Sequence, residues 1–155
     1  MSCGDDRVVL FDMEFEAEFD IPAGLNTIET WYFDIPNVNT FYSSFSGGID
    51  EAAITSIYSS TCTLDGRFGL IDYDFIRDIY INAWDPTDIT SKRELFYREN
   101  IPIDDSNEIV LFGNLANVKE VLNNDLVNLE VRINFRNNPS NVENRLTLRF
   151  QAFEE

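Results

Sequence analysis

Residues 11–21 read FDMEFEAEFDI and alternate between apolar and acidic side chains without interruption. The apolar positions share one face of the segment, and the other face carries the acidic positions Asp12, Glu14, Glu16, Glu18 and Asp20. A strict period of two is the pattern of a β-strand with one buried face and one solvated face. Neighbouring carboxylates on such a face lie roughly 6.5–7 Å apart and repel each other. The sequence therefore predicts a long strand whose outer face needs basic neighbours or water.

Two C-terminal segments, residues 129–136 and 145–152, alternate in the same way. Their polar positions carry four of the eleven basic residues of the chain, namely Arg132, Arg136, Arg145 and Arg149. Opposite charges on adjacent strands contribute about 0.2–1 kcal/mol per pair. We therefore expect the acidic strand to share a sheet with an arginine-bearing strand, as its neighbour. The two C-terminal segments are expected to form a hairpin with each other.

The remaining segments are short and β-like, and turn residues separate them without strand–helix–strand spacing. This pattern predicts a mainly all-β fold, an antiparallel β-sandwich of immunoglobulin-like or related topology with about eight strands and one or two short helices. A small barrel is the alternative. We expect a hairpin between the acidic strand and a strand over 27–35, and a helix over 115–123. Residues 8–155 are predicted to form one domain, and residues 1–7 a flexible N-terminal tether.

The composition excludes several function classes. The chain has 155 residues, 44% of them apolar, and a formal net charge of −17. That field repels nucleic acid and anionic lipid headgroups, so we expect neither as a partner. With no histidine there is no Ser–His or Cys–His nucleophile pair, and two cysteines cannot build a zinc site. No apolar run is long enough to span a membrane as a helix.

The N-terminal residues Ser2-Cys3-Gly4-Asp5-Asp6 resemble the cleavage junction of a small bacterial lipoprotein of Gram-negative type. In that family a small residue precedes the cysteine, which is lipidated and becomes the mature N-terminus. An acidic cluster after the cysteine resembles the export tag of some surface lipoproteins. The resemblance implies a lipid on Cys3 and a location in the cell envelope, anchored to the outer membrane on its periplasmic or surface side. Contact with the membrane would then be through this lipid alone.

Three other features could carry chemistry. The acidic strand could supply the two carboxylates of a glycosidase-like hydrolase, although a solvated strand face offers no cleft. Clustered oxygens in two loops make weak calcium candidates of Asp85, Asp88, Asp104 and Asp105, without the spacing of an EF-hand. Cys62 is expected to be a buried, inert thiol because no basic residue is close to it in sequence.

The chain is also rich in aromatic residues. Some of them could form a platform for sugar rings or a partner protein, while most are expected in the core: Trp31, Tyr32, Phe41, Tyr42, Trp84, Phe96 and Tyr97. The sequence therefore favours an envelope lipoprotein domain without enzymatic activity or cofactor, which binds or assembles with a protein or glycan partner. The alternatives are a carboxylate-based hydrolase and a soluble domain with a structural calcium site.

Overall fold

A computed structural model describes residues 7–104 and 106–155; Cys3 and Asp105 lie outside them. Eight strands account for most of these residues: β1 Val8–Ile21, β2 Trp31–Asn39, β3 Ser56–Gly66, β4 Ile76–Asp85, β5 Asp88–Arg98, β6 Glu108–Gly113, β7 Leu126–Phe135 and β8 Val142–Glu154. Two short helices, α1 (Tyr42–Phe45) and α2 (Lys119–Leu122), and a 3₁₀ turn at Glu51–Ala53 lie between strands. The prediction of about eight strands with one or two short helices is confirmed.

The strands are antiparallel and follow the order β1-β8-β3-β6-β5-β4-β7-β2. Among the described residues β5 and β6 pair at two positions, Phe96 with Gly113 and Tyr97 with Phe112. At this narrow join the sheet folds into a first layer, β1-β8-β3-β6, and a second layer, β5-β4-β7-β2. This order is that of a jelly-roll-like β-sandwich, so the predicted fold class is confirmed.

Aromatic side chains join the inner faces of the two layers. Phe150 of β8 lies 5.3 Å from Phe96 of β5 between ring centroids, and Phe19 of β1 lies 5.6 Å from Phe33 of β2. Phe150 also stacks on Phe15 at 5.5 Å. The interior is thus one apolar core to which both layers contribute.

The alternation of β1 is preserved along its length. The side chains of Met13, Phe15, Ala17, Phe19 and Ile21 are buried, and the acidic residues between them are exposed. The strand begins at Val8, three residues before the predicted segment. Period-two patterning therefore places each side chain on the correct face of β1.

Both predicted hairpins are wrong. β1 pairs with β8, whereas β2 pairs with β7 at the opposite end of the strand order. β7 and β8 lie in different layers and do not pair with each other. Alternation shows which face of a strand is buried, but it does not show which strand lies beside it. A jelly roll pairs strands that are distant in sequence, so consecutive strands do not form these hairpins.

The helix predicted over 115–123 is shorter than expected. Only Lys119–Leu122 is helical, and Leu115, the first residue of the predicted helix, is 92% exposed. Val118, Val121 and Leu122 do face the core. One helical turn is enough to bury these three side chains, and the residues before it remain a loop.

Candidate functional site

An aromatic row crosses the outer surface of the second layer and continues onto β6, the adjoining strand of the first layer. The hydrogen-bonding register places Tyr32 of β2 opposite Arg132 of β7, and Arg132 opposite Tyr80 of β4. Tyr80 lies opposite Tyr97 of β5, which lies opposite Phe112 of β6. These five residues, here called the aromatic row, follow one line perpendicular to five successive strands.

The side chains of the aromatic row contact each other. The Arg132 guanidinium carbon lies 4.1 Å from the centroid of the Tyr80 ring, and the Tyr97 and Phe112 rings meet edge to face at 6.1 Å. Arg98 covers Phe112 at 4.8 Å. Tyr32 remains 57% exposed and Phe112 49% exposed. The row therefore presents apolar ring surface and guanidinium N–H donors side by side.

Polar side chains flank the aromatic row on one side. Asp34, Glu130 and Asn82 follow one another across β2, β7 and β4. The Asn82 amide donates a hydrogen bond to Glu130 over 3.2 Å, and the Lys92 ammonium approaches the same carboxylate at 3.0 Å. These groups supply donors and acceptors next to the rings.

Asp78 and Asn134 flank the aromatic row on the other side. Asp78 is largely buried and accepts hydrogen bonds from the Asn100 backbone N–H (2.9 Å), Arg77 Nε (3.0 Å) and Asn134 Nδ2 (3.1 Å). Burial alone would raise the pKa of Asp78, but these hydrogen bonds outweigh it and hold the pKa below its ordinary value. Asp78 is therefore an ionised carboxylate that holds β4, β7 and the segment after β5 together beside the aromatic row.

Tyr80, in the centre of the row, keeps its proton over the physiological pH range. Burial, followed by a hydrogen bond to Glu99, raises the pKa of its hydroxyl to about 12. The side chain is therefore a neutral aromatic with a fixed hydroxyl. It is suited to holding a ring or a hydrogen-bonding ligand and not to accepting a proton.

The acidic ladder of β1 is paired in part. Glu14 accepts a hydrogen bond from Arg149 Nε of β8 over 2.8 Å, and Glu18 lies 3.0 Å from Arg67 Nε. The prediction that an arginine-bearing strand is the neighbour of the acidic strand is confirmed. Arg145 lies opposite Glu18 in the register, but it binds Asp65 of β3 through two hydrogen bonds instead.

A cleft of about 580 Å³ opens at one end of the sandwich. Its walls include Asp20 of β1 and Glu143 of β8, which lie opposite each other in the register. Both side chains are exposed to solvent. A glycosidase needs one carboxylic acid that is desolvated so that it stays protonated. This pair does not meet that requirement, so the hydrolase alternative gains no support here.

The calcium candidates are engaged in turns. Asp85 accepts hydrogen bonds from the backbone and hydroxyl of Thr87, and Asp88 does the same for Thr90. Asp104 accepts from the Ser106 backbone N–H. Within residues 7–104 and 106–155 no group of three or more acidic or cysteine side chains is arranged to hold a metal ion. The calcium site therefore stays a prediction.

Cys62 lies in β3 with its side chain fully buried. Burial raises the pKa of its thiol far above the ordinary value, which keeps it in the unreactive form. Cys3, the predicted lipidation site, lies outside the described residues. None of the helices in the described segments is long and apolar enough to cross a membrane.

The aromatic residues chosen from the sequence divide between core and surface. Phe96 and Tyr42 are buried and Trp31 packs against the core, while Tyr32, Trp84 and Tyr97 lie on the outer surface of the second layer. Phe41 is half exposed beside α1. Tyr80 and Phe112 were missed as members of a platform. Alternation places Tyr80 outward, but Phe112 ends a continuous apolar run that shows no alternation. The alignment of both with Tyr32 and Tyr97 depends on the register of five strands.

Comparison with known proteins adds little to this description. No family model matches the chain, and no curated protein is similar to it in sequence. Among solved structures, a chain of the cyanophage Pam1 capsid asymmetric unit aligns over 97% of this chain and 88% of its own length, with 12% identity and a TM-score of 0.34. A chain of desmodium yellow mottle tymovirus aligns over 99% and 91%, with 8% identity and a TM-score of 0.34.

Proposed function

We propose that this chain is a non-catalytic binding module whose aromatic row recognises a neutral oligosaccharide. The observation that carries the proposal is the line of Tyr32, Arg132, Tyr80, Tyr97 and Phe112 across the outer surface of five strands. Strands within a layer lie about 4.8 Å apart, so the four members on the second layer extend over roughly 14 Å, and Phe112 continues the row onto β6 beyond the fold. This length suits an extended chain of sugar rings better than a single small molecule.

The chemistry of the row favours a polyhydroxylated ligand. Sugar rings have apolar C–H faces that pack on aromatic rings, and their hydroxyl groups both donate and accept hydrogen bonds. The guanidinium groups of Arg132 and Arg98 supply donors, and the carboxylates of Asp34 and Glu130 supply acceptors.

Charge argues for a neutral ligand. Acidic groups lie beside the row, and the whole chain carries a formal charge of −17. An anionic glycan would be repelled by this field. A cationic ligand would be repelled by the guanidinium groups of the row at close range. The hydroxyl groups of a neutral sugar can accept hydrogen bonds from the guanidinium groups and donate hydrogen bonds to the carboxylates.

The test is affinity electrophoresis in gels that contain neutral polysaccharides such as glucans, xylan or mannan, followed by calorimetry with the matching oligosaccharide. Replacing Tyr32 or Tyr97 with alanine should weaken binding roughly 2- to 10-fold for each ring removed. The matched control is Tyr58→Ala, because Tyr58 lies on the outer surface of the first layer, opposite Gln151. Equal affinity of all variants, or no retardation by any polysaccharide, would contradict the proposal.

We further propose that the module is held at the bacterial envelope by a lipid on Cys3. The support is the Ser2-Cys3-Gly4-Asp5-Asp6 junction in the sequence. Expression from the complete natural reading frame, followed by intact mass and membrane partitioning, tests this proposal. A diacyl or triacyl adduct on Cys3 is expected, and the Cys3→Ser variant should lose both the adduct and the membrane association. An unmodified product in the aqueous fraction would rule out the lipid anchor.

A further inference from the structure

The cleft at the end of the sandwich is separate from the aromatic row. It is lined by the end of β1, by the loop over 67–71 and by the beginning of β8. Its volume of about 580 Å³ lies within the range of ordinary ligand pockets. Ile21 and Val142 form an apolar floor, both nearly inaccessible to solvent.

The loop presents two large apolar side chains to solvent at this cleft. Phe68 is 74% exposed and Leu70 is 86% exposed. Both are lining residues, together with Ile71 and Pro22. Single exposed apolar residues are ordinary on protein surfaces, but a contiguous group beside a concave surface is typical of an interaction site.

The loop is held in place by contacts with β8. The Arg67 backbone N–H donates to the Glu143 carbonyl over 3.0 Å, and the Tyr73 hydroxyl donates to Asn144 Oδ1 over 2.8 Å. A side chain at Gly66 would overlap the Gly69 carbonyl oxygen, so the chain reversal between them requires glycine. Phe68 and Leu70 are thus presented by an anchored loop.

The rim of the cleft is acidic. Asp20 and Glu143 lie directly opposite each other on β1 and β8, and like charges in that position destabilise a sheet. In the described part of the chain neither carboxylate makes an ion pair with a basic side chain. The nearest arginine along the loop, Arg67, is engaged by Glu18 at 3.0 Å and by the face of Phe68 at 4.7 Å. A cation seated between Asp20 and Glu143 would relieve their repulsion.

We propose that this cleft binds a peptide segment of a partner protein in which an apolar side chain is adjacent to lysine or arginine. The apolar side chain packs against Leu70, Phe68 and the floor, and the basic side chain lies between Asp20 and Glu143. Charge complementarity selects this partner over an acidic one. The site acts independently of the aromatic row, so a neutral oligosaccharide bound to the row does not compete for it.

The test uses a fluorescein-labelled peptide with alternating leucine and lysine, and two comparison peptides in which glutamate replaces lysine or serine replaces leucine. Saturable binding of the leucine–lysine peptide alone is expected by fluorescence anisotropy. Leu70→Ser, and separately Asp20→Asn combined with Glu143→Gln, should each weaken binding roughly tenfold.

Matched controls separate the cleft from general attraction to an acidic protein. Leu115→Ser changes a similarly exposed leucine elsewhere. Asp12→Asn combined with Glu16→Gln removes the same charge from β1 at positions that do not line the cleft. Both controls should bind the peptide as the natural protein does.

Three results would overturn the proposal. The first is equal weakening by the control variants, which would mean that net charge alone attracts the peptide. The second is no saturable binding of the leucine–lysine peptide. The third is a dimer in sedimentation that Leu70→Ser dissociates, since the cleft would then be occupied by a second copy of this chain.

Discussion

At the residue scale, Asp78 is a buried carboxylate that three hydrogen bonds hold in position. Its carboxylate joins the Asn100 backbone, Arg77 and Asn134, and so ties β4 to β7 and to the chain that follows β5. Its pKa is lowered despite burial, because the three hydrogen bonds favour the charged form. Such a group stabilises the folded state only while it is ionised.

The pH dependence of stability tests this role. Because the folded-state pKa is depressed, the contribution of Asp78 is complete above its ordinary pKa of 3.8 and is lost as the pH falls through the folded value. Asp78→Ala should lower the free energy of unfolding by about 1–3 kcal/mol at about pH 6, since it removes three hydrogen bonds to an ionised carboxylate. The difference from the natural protein, measured by urea titration, should shrink as the pH falls below 3.8. A difference that does not change with pH would show that the ionised form is not what stabilises the fold.

Phe15 and Glu16 are adjacent on β1 but should respond very differently to substitution. Phe15 is buried against Phe150, so Phe15→Asp removes core volume and buries a charge, and should cost about 4 kcal/mol or more. Glu16 is exposed, and Glu16→Gln should change stability by less than about 0.5 kcal/mol. Urea titration of the two variants checks both values. Small and equal effects would mean that β1 does not have one buried and one exposed face.

At the element scale, the sequence shows reliably which face of a strand is buried, but it does not show reliably which strands are neighbours. The inward positions that alternation assigned in β1, β7 and β8 do face the core, and the charge argument gave an arginine-bearing strand as the neighbour of β1 without choosing between β7 and β8. The irregularity between Ser59 and Cys62 in β3 could not be read in this way. It shifts the register, so that Tyr58 points outward although it shares parity with the buried Cys62.

The Glu14–Arg149 pair is the element-scale interaction most open to measurement. A double-mutant cycle with Glu14→Gln and Arg149→Gln should give a coupling energy of about 0.2–1 kcal/mol, because both side chains are partly exposed. The coupling should fall when salt is added. The two-bond pair of Arg145 and Asp65, which is shorter and less exposed, should couple more strongly. A coupling of zero for Glu14 and Arg149 would mean that β8 is selected as neighbour by packing alone.

At the scale of the whole molecule, the strand order could not be derived from the sequence. A hairpin is the default for consecutive strands, and both wrong pairings followed that default. The aromatic row was missed for the same reason, since residues 32, 80, 97, 112 and 132 meet only after five strands are placed in register. The cleft likewise needs β1, β8 and a loop from between β3 and β4.

The division into two layers raises the question of whether they unfold separately, since their backbone connection at β5 and β6 is narrow. We expect one cooperative transition, because Phe150 packs on Phe96 and Phe19 on Phe33 across the layers. Trp31 and Trp84 both belong to the second layer, so their fluorescence reports on that layer, while far-UV circular dichroism reports on both.

The two signals should therefore give the same midpoint in urea. Phe150→Ala, which removes a ring shared by the layers, should lower both midpoints together. A fluorescence transition separated from the dichroism transition would mean that the two layers are held together less firmly than the strands within each of them.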